Sequence, residues 1–247
     1  MASDEQTGCT QGSGDGRFEV TRWTMVLAAR GNEAAARDAM AYLCSKYWYP
    51  LYAFVRRQRH DPHDAHDLTQ AFFARLLEKG WLDDVAREKG RFRSFLLAAM
   101  KHFLANERDR AHALKRGGGQ AIISLDSASA ESRYATEPRD DATPEKIFDR
   151  RWAMTVLEHV LDRLRAEMKA NGKEPLFDEL KPTLAGEASA YAAVGQRLGM
   201  SEGAVKVAAH RLRQRYRELI RQEVAQTLDD EKDIDEELRD LMSALSS

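Results

Sequence analysis

Helix-forming residues dominate two long stretches of the chain, Arg17 to about Arg116 and Thr143 to about Gln222. No alternating apolar–polar pattern of useful length interrupts them, so strands are not expected. Between the two blocks stands Gly117-Gly118-Gly119, a run that a helix does not easily propagate through. From Gln120 to Thr143 the chain is rich in Ser, Ala, Asp and Glu and contains Pro138, a linker composition. Thr143-Pro144 then reads as a helix cap followed by proline in the first turn. The pattern predicts an all-α fold with two small helical domains, 17–118 and 146–222, joined by a flexible linker over 119–145. Residues 1–16 are expected to be a disordered leader. Residues 223–247 form an acidic helical tail in this reading, because Leu228, Ile234, Leu238, Leu241 and Leu245 recur at approximate helical spacing.

Composition narrows the classes. A chain of 247 residues with 43% hydrophobic and 32% charged residues can bury a core and stay well solvated. Two cysteines, Cys9 and Cys44, exclude a disulfide framework and a multi-cysteine zinc site. No apolar run approaches the ~18 residues of a membrane span. Met1 to Gly16 is polar and mildly acidic, unlike a secretory signal, so a cytoplasmic location is expected.

The net charge of −2 hides an uneven distribution. Arg87 to Arg116 carries nine basic and three acidic residues; Arg197 to Arg221 carries seven basic and two acidic. From Glu223 to the end, nine acids face Lys232 and Arg239. Near neutrality argues against a chain that binds nucleic acid strongly alone, while two basic islands and an acidic tail point to divided labour.

In the first block, Asp61-Pro62-His63-Asp64 reads as a helix start: Asp61 caps, Pro62 takes the first helical position and Asp64 complements the dipole. That helix continues through Leu68, Phe72, Phe73, Leu76 and Leu77 toward a stop near Gly80. A later helix, about Arg91 to Ala113, places Phe92, Phe95, Leu96, Ala99, Met100, Phe103 and Leu104 on a buried face. Its other side carries Ser94, Lys101, His102, Asn106, Arg108 and Arg110.

The sharpest local signal is Tyr191 to Val205, which reads as a helix-turn-helix. Gly195 lets the second helix cross the first closely, and Gly199 suits a tight turn that needs positive φ. Val194, Leu198 and Val205 supply contacts between the helices, Ser201 caps the second helix and Glu202 sits at its positive end. Along that helix Val205, Ala208, Ala209, Leu212, Tyr216 and Leu219 should face inward. Lys206, His210, Arg213 and Arg217 recur on another face, a basic stripe suited to docking in a DNA major groove.

Two separated stretches resemble bacterial RNA polymerase sigma factors of the compact extracytoplasmic-function class. The first is Asp64-Ala65-His66-Asp67-Leu68-Thr69-Gln70-Ala71-Phe72-Phe73-Ala74-Arg75-Leu76-Leu77, followed by Arg91-Phe92-Arg93-Ser94-Phe95-Leu96 and Asn106-Glu107-Arg108-Asp109-Arg110, similar to the family's region 2. The second is Tyr191 through Arg217, similar to region 4. The resemblance implies that Asp67, Leu68, Gln70, Phe73 and Arg75 dock on the β′ clamp helices of the core polymerase. It implies that Arg91, Arg93, Lys101, His102, Asn106, Arg108 and Arg110 contact the −10 promoter element and help hold it open. Ser201, Glu202, Lys206, His210, Arg211, Arg213 and Arg217 would read the −35 element as duplex, and the linker would thread toward the active-site channel. The expected partners are core polymerase and promoter DNA, with room for a regulatory protein and none for a membrane. The long approach Lys169 to Pro182 and the acidic tail depart from the common family pattern; the tail could fold back over a basic helix or serve as a partner surface.

Two other readings compete. A stand-alone helix-turn-helix regulator would explain the second block but has no need for the Asp67 to Leu77 and Arg91 to Arg110 helices. A metal enzyme could be built on His60, His63 and His66, each followed by an aspartate. Steps of three turn those rings progressively around a helix, and Asp61-Pro62 already serves as a cap. Gly117–Gly119 lacks the Lys-Ser or Lys-Thr of a phosphate loop. Cys44 sits in an apolar helix and reads as core, as does the aromatic cluster Tyr47, Trp48, Tyr49 and Tyr52 around Pro50. No catalytic or metal site and no cofactor is expected.

Overall fold

A computed structural model describes residues 33–77, 91–113, 127–135, 142–186 and 190–246. The leader 1–16, the stop near Gly80 and the break at Gly117–Gly119 lie outside the described residues. The fold is all-α: α1 Glu33–Arg57, α2 Pro62–Leu77, α3 Phe92–Ala113, α4 Ser127–Ala135, α5 Pro144–Ala170, α6 Glu174–Leu180, α7 Tyr191–Leu198, α8 Glu202–Ala225 and α9 Ile234–Ser246. Short 3-10 turns, Lys181–Ala185 and Glu231–Asp233, precede α7 and α9. The one extended pairing among the described residues is an isolated antiparallel bridge between Arg91 and Leu228.

The centre is α1. Its second half is apolar on every side, with Tyr47, Leu51, Tyr52, Phe54 and Val55 almost wholly enclosed, so it must be surrounded by other helices. It packs chiefly on α5 and α2. Proline in a helix interior removes a backbone donor. Here Pro50 lies within α1 amid rings in mutual contact, Trp48 stacked on Tyr52 with centroids 5.4 Å apart. The cap read at Asp61 is present: its Oδ1 accepts from the Asp64 backbone N at 2.9 Å, and the helix starts at Pro62. Cys44 is buried, and burial pushes its thiol pKa well above the ordinary value, so it is a core residue.

The span read as a linker contains α4, which is fastened to α1. The Arg56 guanidinium donates to both oxygens of Glu131, at 2.9 and 2.8 Å, and the Tyr52 hydroxyl donates to Oε2 at 2.6 Å. These donors hold the Glu131 carboxyl below the usual range. A carboxylate depressed in the folded state binds its proton more readily when released, so the clasp contributes at neutral pH. That contribution fades as pH falls through the ordinary glutamate range, near ~4.3, and below it. The protection of the α4 amides, their exchange rate relative to that of a free chain at the same pH, is expected to fall over that window in the wild type and to lose this pH dependence in Glu131→Gln.

Thr143 caps α5, its Oγ1 accepting from the Lys146 N at 3.3 Å, with Pro144 at the helix start. This 27-residue helix, about 40 Å long at ~1.5 Å per residue, is shared by two hydrophobic clusters. Its first half (Phe148, Trp152, Ala153, Val156) joins α1, α2, α3 and α9. Its second half (Val160, Leu164) joins Phe177, Leu180, Val194, Val205, Ala209, Leu212 and Leu219 of α6, α7 and α8. The unusual approach Lys169 to Pro182 is accounted for: it ends α5 and forms α6, whose Phe177 and Leu180 fill the second core. Helix α8 likewise serves both clusters, through Leu219 and then Val224.

At this seam Glu223 of α8 is 7% exposed and meets side chains of α1 and α5. The Tyr42 hydroxyl donates to its Oε1 at 3.1 Å, Lys46 Nζ lies 3.4 Å away and His159 Nε2 3.8 Å. Burial lowers the His159 pKa, so its ring is neutral near pH 7 and Lys46 is the cation that answers the carboxylate.

Candidate nucleic-acid interface

The helix-turn-helix reading has a local physical basis in α7 and α8. Gly199 takes φ +65° and ends α7, and the Met200 N donates back to the Gly195 carbonyl at 2.8 Å. A Cβ on Gly195 would stand 2.5 Å from the Met200 carbonyl oxygen, so only glycine admits this close crossing. Ser201 begins α8, its Oγ accepting from the Ala204 N at 3.2 Å. Val205, Ala209, Leu212 and Leu219 are buried as expected, and Ala208 and Tyr216 pack against the same cluster half-buried.

The opposite face of α8 is solvent-facing. Ser201, Glu202, Lys206, His210, Arg211 and Arg217 are exposed and Arg213 is half-buried. Lys206 pairs with Glu202 one turn earlier at 2.7 Å, and that partner raises its pKa. Arg211, Arg213 and Arg217 have no carboxylate partner among the described residues. Arg215, outside the predicted stripe, is held away from it: the two oxygens of Glu167 on α5 accept from its Nε and Nη2 at 2.9 and 3.0 Å. Those hydrogen bonds raise its pKa further. Val207, 52% exposed, adds an apolar spot beside the stripe.

The residues assigned to the −10 element divide into two groups on α3. Lys101, His102, Asn106, Arg108 and Arg110 are all exposed along its later turns. Lys101 pairs with Glu145 at 2.8 Å and Arg110 with Glu107 at 2.9 Å, both at the surface, where such pairs exchange readily with other anions. Phe92, Phe95 and Phe103 are buried, in keeping with their spacing.

Arg91 and Arg93, at the start of α3, are instead enclosed by carboxylates of α9 and α5. Arg91 reaches Glu236 at 2.7 Å, Glu237 at 3.1 Å and Asp240 at 2.5 Å. Arg93 donates through Nε and Nη2 to the two oxygens of Glu237, both at 3.0 Å, and reaches Asp149 at 2.6 Å and Asp240 at 3.1 Å. Its guanidinium lies over the Trp152 ring, 4.5 Å from the centroid. Burial pulls the pKa of Arg93 down, but the Glu237 hydrogen bond and charge, with Asp149, outweigh it and the net direction is up. Arg91 is balanced the same way, burial against Glu237, Glu236 and Asp240. A backbone bond from the Phe92 N to the Thr227 carbonyl, 3.0 Å, fixes the junction. The acidic tail was legible as a helix with an apolar face, and Ile234, Leu238, Leu241 and Leu245 do pack on the first core.

On α2, Asp67 is exposed while Leu68 and Arg75 are half-buried. Gln70 and Phe73 are buried, at 7% and 1% exposure, so the outer surface of α2 is formed by other residues of the motif. Of the histidines, His63 is exposed, His60 is half-buried, and His66 lies edge-on to Trp48 with centroids 5.8 Å apart. Among the described residues no group of three His, Cys, Asp or Glu side chains is arranged to hold a metal ion. None of the described helices is long and apolar enough to cross a membrane. Compared with protein-family models, with curated proteins and with solved structures, the chain matches none.

Proposed function

We propose that this chain is a sigma factor, the promoter-recognition subunit of a bacterial RNA polymerase, acting in the cytoplasm. In this reading a first unit (17–118) uses α2 for the core polymerase and α3 for the melted −10 strand. A second unit (146–222) reads the −35 duplex through α8, and residues 119–145 connect them. The observation that carries it is the solvent-facing stripe of α8, where Arg213 and Arg217 have no carboxylate partner among the described residues, behind a glycine-dependent turn. Major-groove docking needs such a face, base-edge groups near the helix start and arginines for phosphates. Support also comes from α3, where cationic, imidazole and amide groups line one exposed side, the chemistry that unpaired bases and their backbone require. The near-neutral chain fits a subunit that gains DNA affinity from a large partner.

The test is to mix the chain with sigma-free bacterial core polymerase and a genomic fragment library. Co-elution, and RNA that starts at a shared two-part motif, is the expected result. A chain that binds duplex DNA but never core polymerase would be a stand-alone helix-turn-helix regulator. Arg213→Ala is expected to weaken duplex binding and to lower the slope of log affinity against log salt by about 0.9, one phosphate contact. An unchanged slope would remove Arg213 from the interface.

A further inference from the structure

We propose that α9 is an intramolecular competitor of DNA: its carboxylates occupy the arginines at the start of α3, and its release exposes them. The inference rests on the proposed reading of α3 as a DNA-contacting helix.

Three observations carry it. First, the exposed cations of α3 stop short of its N-terminal end. Lys101, Arg108 and Arg110 are exposed, whereas the side chains of Arg91 and Arg93 are 19% and 11% exposed beneath Glu236, Glu237 and Asp240. Second, the geometry is that of an anion site already filled. A guanidinium fork binds carboxylate and phosphate by the same paired N–H···O contacts, so three carboxylates stand where backbone phosphates would. Third, α9 grips both candidate DNA-reading helices. Arg221, near the end of α8, pairs with Asp235 at 2.5 Å, on the same helix that holds Arg91 and Arg93. While α9 is docked, the start of α3 and the end of α8 are tied together.

The contact is built to be strong without being sealed. Glu237, fully buried, and the apolar Ile234 and Leu241 hold α9 down, while the side chains of Glu236 and Asp240 are 56% and 42% exposed and open to competing anions. A site available only in the released form binds with an affinity reduced by the released fraction. By linkage, DNA that takes the arginines must loosen α9 to the same degree.

The experiment compares three full-length chains: wild type, Glu236→Gln/Asp240→Asn, and Glu231→Gln/Asp162→Asn, which changes net charge equally but leaves the arginines covered. The probe is a fluorescein-labelled, mixed-sequence single-stranded DNA of about 30 nucleotides, long enough to span a binding groove, titrated at several salt concentrations. The Glu236/Asp240 variant is expected to bind about tenfold tighter than the charge-matched control. Its log affinity should fall with log salt more steeply by about 1.4, two phosphate contacts on a single strand. Amides of α9 should exchange faster in that variant, and faster in wild type once DNA is added. Equal affinity and slope in the two variants would overturn the proposal. Co-elution of wild type with core polymerase reports separately on the functional reading. Co-elution together with equal variants removes the competitor role alone. Absence of co-elution together with a tighter Glu236/Asp240 variant removes the polymerase reading and supports the competitor role.

Discussion

Glu237→Ala is expected to cost about 3 kcal/mol of folding stability, far more than any single change to the surface carboxylates around it. The side chain has no exposure, and its two oxygens accept from Nε and Nη2 of Arg93 at 3.0 Å while Arg91 stands 3.1 Å away. Breaking a buried pair by removing one partner leaves the other charge stranded, typically at about 3–5 kcal/mol. The low end applies because Asp149 and Asp240 still face Arg93, and Glu236 and Asp240 still face Arg91. Glu237→Gln keeps the shape and one carbonyl acceptor but loses the charge and turns an amide N–H toward a guanidinium N–H. It should lose about 2 kcal/mol, less than the alanine variant only by the packing and the one acceptor it retains. Urea unfolding followed by tryptophan fluorescence would read both, since Trp152 lies under the Arg93 guanidinium. A loss below about 0.5 kcal/mol for the alanine variant, the level of an ordinary surface change, would mean that solvent screens this cluster and that the apolar face of α9 holds the tail alone.

The same cluster marks the limit of what the sequence could disclose. That 223–247 forms a helix with an apolar face follows from local spacing, and Ile234, Leu238, Leu241 and Leu245 do pack on the core. Where the helix docks depends on charges more than 140 positions apart in the chain, such as Arg93 and Glu237. With two basic islands available, nothing in the spacing of the acids selects the start of α3 over α8. Helix α4 was hidden for a related reason: its short, Ser- and Ala-rich stretch reads as a linker, and what fastens it is Glu131 reaching Arg56 and Tyr52 of α1. Glu223 looked like the first acid of the tail. It is instead the buried anion that joins α1, α5 and α8 through Tyr42, Lys46 and His159. Motif matching has a further blind spot at α2, where it groups Asp67, Gln70 and Phe73 by pattern. Burial separates them, because the helix turns Gln70 and Phe73 toward the core and leaves Asp67 in solvent.

The turn between α7 and α8 was fully legible because everything that makes it is within ten residues, and it yields a sharp prediction. Gly195→Ala should destabilise the second core by about 2–3 kcal/mol, the cost of forcing extra volume into a packed contact. The added Cβ would meet the Met200 carbonyl oxygen at 2.5 Å, and that oxygen is backbone, which cannot swing aside as a side chain would. Moving it strains the Met200–Gly195 hydrogen bond and the left-handed Gly199, so α7 must shift on α8. In the proposed reading, duplex binding through α8 should fall with stability, because the exposed start of that helix is positioned by this turn. Gly203→Ala supplies the contrast within the same helix. Its Cβ would meet nothing within 4 Å, and alanine in a helix is favoured over glycine by roughly 0.5–1 kcal/mol, so this variant should be more stable than wild type. Thermal unfolding of the two variants side by side separates steric crossing from helix propensity. A Gly195→Ala protein as stable as Gly203→Ala would show that the two helices do not cross as closely as the turn requires.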